Sequence, residues 1–103
     1  MEQSELEASV VESQELNKEI KMNERTNVGY KIIKVVALPH TEFVLGAKIT
    51  DSGTKYVTWR CNNHTDYYYG HYIESFDLAL LDLYERVQDE VIFIISQLKE
   101  KRQ

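Results

Sequence analysis

Between Ser75 and Leu98 apolar residues recur every three or four positions, whereas before it they alternate or run in short blocks. Phe76, Leu80, Leu83, Val87, Val91, Ile94 and Leu98 fall on one stripe of a helix. Ser75 suits the N-cap, because its hydroxyl can accept from a free backbone N–H one turn on. Asp77 suits the positive end of the helix dipole, and Lys99, Lys101 and Arg102 suit the negative end. At ~100° per residue, Asp82, Glu85 and Asp89 lie nearly opposite the stripe, which predicts a solvated acidic face. Val91-Ile92-Phe93-Ile94-Ile95 departs from this pattern. A helix apolar all round is covered all round. The same β-branched run also fits a strand, or a helix that bends or breaks early.

Four strands are expected upstream. Val28 to Leu38 is rich in strand formers, Pro39-His40-Thr41 turns the chain, and Glu42 to Ile49 follows. Gly46 marks a bulge or a close approach of backbones. After the turn Asp51-Ser52-Gly53, Lys55 to Cys61 alternates strictly. Val57, Trp59 and Cys61 share one face, and Tyr56, Thr58 and Arg60 the other. Asn62 to Asp66 is a polar turn, and Tyr67 to Ile73 is the last strand. The fold class is α+β: a four-stranded antiparallel meander on a long C-terminal helix, with Trp59 in the core beneath it. A helix over 76–102 would span ~40 Å. A strand of this length spans only ~25 Å, so the helix should outrun the sheet.

Residues 1–27 read as an acidic segment and linker, and 28–103 as a single domain. Residues 1–21 carry six acids against two lysines; the rest of the chain carries eleven acids against ten bases. Leu6, Val10, Leu16 and Ile20 give the segment a thin apolar edge that suits an N-terminal helix, though a disordered stretch, or extra sequence before a second start at Met22, fits equally. The net charge of −5 and the absence of a basic patch disfavour direct nucleic-acid binding. No apolar run approaches a membrane span, and no signal pattern opens the chain, so a cytoplasmic location is expected.

Candidate chemistry is sparse. Cys61, His64 and His71, with His40, are the best metal candidates, yet zinc wants four ligands and only one close pair is local. Cys61 with a histidine lacks an oxyanion loop and a supporting acid. No catalytic residue, metal or cofactor is therefore expected. Interface chemistry is better represented. Arg60, Tyr67 and Tyr69 are types enriched at protein contacts, and Asp82, Glu85 and Asp89 could face a basic groove on a partner. Ile92, Phe93 and Ile95, off the main stripe, are the expected interface of a homodimer; the alternatives are cover by residues 1–21 or by a target.

Gly29-Tyr30-Lys31-Ile32-Ile33, Glu42-Phe43-Val44-Leu45-Gly46, Tyr56-Val57-Thr58-Trp59-Arg60-Cys61 and Tyr69-Gly70-His71-Tyr72, followed by a helix with Asp82 and Arg86, resemble small proteins of Gram-positive plasmids, conjugative elements and phages. In size, acidity and lack of catalytic residues the chain is similar to the type II-A anti-CRISPR proteins of that setting. The resemblance covers roughly residues 28–90. It implies an inhibitor in a bacterial host cell that binds the type II-A effector nuclease or its guide-RNA complex. The alternative is a mobile-element accessory or regulatory protein that binds another host protein or nucleic acid. The resemblance assigns no binding residue, so the interface residues above rest on residue type alone.

Overall fold

Turns fix where each strand begins. The computed structural model describes residues 24–102. Strands β1 (Thr26–Asn27), β2 (Tyr30–Ala37), β3 (Glu42–Thr50), β4 (Gly53–Asn62) and β5 (Asp66–Ile73) precede helix α1 (Phe76–Lys101). Each strand pairs antiparallel with its neighbour in sequence, giving the order β1-β2-β3-β4-β5. The sheet thus has five strands rather than the expected four. The extra one lies in the stretch expected to be a linker. It is joined to β2 by Val28 and Gly29, at φ +44° and +87°. Positive φ at both central residues is the hairpin turn whose twist matches the strands, and it normally uses Asn-Gly. A β-branched valine there disguised the hairpin. The expected N-terminal helix lies outside the described residues. No helix among the described residues is long and apolar enough to cross a membrane.

The helix starts as expected. Ser75 is in an extended conformation, and its Oγ accepts from the Leu78 N–H at 3.3 Å. Such a cap contributes about 1 kcal/mol. Ala79 and Leu83 are fully buried against Phe43 and Leu45, and Leu80, Val87, Val36, Tyr56 and Ile73 close round them. The stripe buries only along its first half. Leu98 is 55% exposed, because the helix has by then passed the end of the sheet.

A second apolar cluster occupies the opposite face of the sheet. Val44, Val57, Trp59 and Cys61 are buried there, with Tyr30, Ile32 and Tyr67 packed around them. Trp59 is 4% exposed, so its burial is as expected, but the helix lies on the other side. The surface under α1 is instead the set Tyr56, Thr58 and Arg60. Among the described residues no second layer covers the indole; aromatic neighbours do. Tyr67, Tyr30 and Tyr72 approach it edge-on, with centroids at 5.4, 5.8 and 6.4 Å. Edge contacts of this kind add about 0.5–1.5 kcal/mol each beyond burial. Glycines let the strands on either side close in. A Cβ on Gly70 would lie 2.8 Å from Trp59 Nε1, and one on Gly46 3.2 Å from its Cζ3. Gly46 is therefore the close-approach point. The bulge falls opposite it on β2, where Ile33 is the extra residue between Ile32 and Lys34.

Candidate binding surface

Strand β4 presents a polar row to the helix, and the helix answers in kind. Asp82, Arg86 and Glu90 stand four residues apart and so share one side. Thr58 is fully buried, and its hydroxyl donates to Asp82 Oδ2 at 2.5 Å. Arg86 donates through Nη1 to the Thr58 carbonyl at 3.0 Å and through Nη2 to the Tyr69 carbonyl at 2.7 Å. Arg60 pairs with Glu90 at 3.3 Å, and His71 Nδ1 meets Asp82 at 2.9 Å. The guanidiniums of Arg60 and Arg86 lie 5.6 and 5.8 Å from the Phe43 ring centre, within cation–π range. Burial lowers the Arg86 pKa; neighbouring Asp82 opposes that shift and Arg60 adds to it. Asp82 is thus not on a solvated acidic face. The helix is turned so that its Asp82 edge meets Thr58 and His71.

The β5 backbone bends over this network. Between the pairs Thr58–His71 and Arg60–Tyr68, β5 carries two residues, Tyr69 and Gly70, against the single Trp59. Tyr69 sits at φ +55°. A left-handed conformation costs an ordinary side chain roughly 1–2 kcal/mol. The Arg86 bond to its carbonyl holds it there. Gly70 then passes close to the indole, and the Tyr69 ring is thrown outward, 75% exposed. Strain of this kind clusters at sites where a side chain must be presented.

Tyr69 forms one wall of an open cavity of about 610 Å³. Phe43, Arg60 and Arg86 make its floor, and His71, Asp89, Glu90 and Phe93 complete it. Of the residues expected to meet a partner, Arg60, Tyr69 and Asp89 come together here, and Asp82 lies below them. Glu85 is exposed elsewhere on the helix, and Tyr67 belongs to the opposite face beside Trp59. Of the three expected dimer residues, Ile92 and Ile95 are exposed and line no wall of this cavity, whereas Phe93 does. Glu90 was not singled out from sequence, Phe43 and Arg86 figured only in the resemblance, and His71 figured there and as a metal candidate. The readable signal for the helix pair was the four-residue spacing Asp82, Arg86, Glu90 facing a strand with Thr58 and Arg60 two apart.

A second polar cluster sits at one end of the Trp59 face. Arg25 Nη2 donates to Glu42 Oε1 at 3.0 Å, to Tyr67 Oη at 3.0 Å and to Cys61 Sγ at 3.4 Å. His64 Nδ1 meets the other Glu42 oxygen at 3.1 Å. Burial would lower the Arg25 pKa, but the bonds to Tyr67 and Glu42 outweigh it and hold it above the ordinary value. Burial raises the Cys61 thiol, and the Glu42 charge adds to this. Cys61 and His71 lie on opposite faces of the sheet. Among the described residues, no three His, Cys, Asp or Glu groups gather as metal ligands.

A buried thiol with a raised pKa is a poor nucleophile. Cys61 should react with a thiol reagent far more slowly in the native protein than in denaturant, as a timed colorimetric assay would show. Stability should also fall as pH rises past the ordinary thiol value, because the folded state holds its proton longer than the unfolded state. A Cys61→Ala chain should lose that slope.

Comparison with family models, with curated proteins and with solved structures finds no match for this chain.

Proposed function

We propose that this protein acts by binding, as an inhibitor of a type II-A RNA-guided effector nuclease or of its guide-RNA complex in the bacterial cytoplasm. The observation that carries the binding reading is Tyr69. Its ring is held out of the sheet by a strained backbone, beside an exposed Phe93 and an Asp89 with no ion pair among the described residues. Aromatic anchors next to a carboxylate suit a basic protein surface, and effector grooves are basic because they hold guide and target backbones. The choice of a nuclease as target rests on the sequence resemblance and on the net charge of −5.

The test is DNA cleavage by several type II-A nucleases with and without the protein. Inhibition is expected. Tyr69→Gly should weaken it while leaving stability unchanged or slightly raised, because glycine relieves the left-handed conformation. Asp89→Lys should weaken it with no effect on the fold. Undiminished cutting by every nuclease tried would reject this target. A pull-down that recovers another host protein instead would favour the accessory or regulatory reading.

A further inference from the structure

Helix α1 carries a second apolar seam, which takes Val91 and Leu98 from the far half of the first stripe, and the core cluster under the helix includes none of its members. Leu81, Tyr84, Gln88, Val91, Ile95 and Leu98 follow one another at alternating steps of three and four. That is the spacing of a coiled-coil contact, in which the first and fourth positions of each heptad face a partner helix. The five apolar members are each at least 36% exposed. The seam runs ~26 Å along the helix. A stripe of this length left in water is larger than scattered surface leucines and marks an interaction site. Gln88, near its middle, is the kind of single polar residue that sets register.

Charge identifies the occupant. Asp77 and Glu85 flank the first half of the helix, whereas Lys99, Lys101 and Arg102 close its far end. A parallel neighbour of the same kind would set acid against acid. An antiparallel one sets acid against base and also opposes the two helix dipoles. We infer that α1 pairs antiparallel with α1 of a second copy of this chain, about a two-fold axis. Leu81 then meets Leu98 of the partner subunit, Tyr84 meets Ile95 of the partner subunit, and Gln88 meets Val91 of the partner subunit. Glu85 comes within reach of Lys99 of the partner subunit. The contact is self-complementary, as a two-fold interface must be. Phe93 takes no part in it, so the cavity beside Tyr69 stays open in both copies. The inference is independent of the target proposed above.

Light scattering on the full chain at tens of micromolar tests it, with circular dichroism as a check on folding. A dimer is expected. Leu81→Glu with Ile95→Glu should give a folded monomer, and Phe93→Glu should leave the dimer intact. Glu85→Lys and Lys99→Glu alone should each weaken association about tenfold at low salt, and the two together should restore it. These charge swaps lie on exposed side chains, so they read the contact even if the leucine and isoleucine changes harm folding. A monomeric full chain would overturn the inference, as would a dimer that survives the Leu81→Glu, Ile95→Glu change. Failure of the double charge swap to rescue would overturn the antiparallel register. Loss of the dimer in Leu16→Glu with Ile20→Glu would overturn it in favour of residues 1–21 as the contact.

Discussion

A Trp59→Ala chain is expected to be largely unfolded in solution. Truncating a buried tryptophan costs about 3–5 kcal/mol, and a domain of this size has little more than that in hand. The loss should fall at the high end here. Among the described residues the outer side of the indole is covered by Tyr30, Tyr67 and Tyr72, which touch it by their edges. With the ring gone these three lose their common support, and Gly46 and Gly70 leave gaps on either side that no side chain can fill. Far-UV circular dichroism and a denaturant titration measure the effect, and Trp59→Phe should recover part of it. A Trp59→Ala protein with a native denaturation midpoint but no inhibition would make the residue a partner contact instead.

Glu42→Ala should cost about 3 kcal/mol, near the lower bound for breaking a buried ion pair. The carboxylate side chain is 10% exposed, whereas Arg25 is 25% exposed and can recover some hydration, which limits the penalty. The damage reaches further than one pair. Glu42 also holds His64, and through Arg25 it orders Tyr67 and so one edge of the Trp59 pocket. Glu42→Gln keeps a hydrogen-bonding oxygen and should cost clearly less. Denaturant midpoints of the two variants separate charge from hydrogen bonding. Equal losses would show that the charge, and not the hydrogen-bonding oxygen, carries the effect.

The strands β2 to β5 and the helix were legible because Pro39, Asp51-Ser52-Gly53 and Asn62 to Asp66 punctuate the chain and Ser75 caps the helix. Strand β1 was not, because a valine occupies a turn position that favours asparagine. The helix-facing side of β4 was not legible either. Strict alternation leaves two candidate faces, and apolarity favours Val57, Trp59 and Cys61. Both faces are in fact buried, one under the helix and one under tyrosines, so apolarity cannot choose between them. The choice is made by hydrogen bonding. Asp82, Arg86 and Glu90 need polar partners, and Thr58, Arg60, His71 and the Tyr69 carbonyl supply them. At the site, Arg60, Tyr69 and Asp89 could be picked by residue type. That they share one cavity depends on the β5 bulge, which a glycine after three tyrosines does not announce.

The polar half of the surface beneath α1 has a consequence for synthesis. Translation delivers the strands before the helix, so a nascent chain leaving the ribosome holds a sheet whose helix side lacks the cover of α1 until that helix emerges. Neighbouring strands pair in order, which lets that sheet form early. Phe43 and Leu45 then face solvent in a state that invites association with other nascent chains. Thr58 and Arg60 stand beside them on the adjacent strand. A threonine and an arginine there keep the waiting surface wetter than an all-apolar face would be. Once Asp82, Arg86 and Glu90 arrive, the same residues become the ones that tell the helix where to sit.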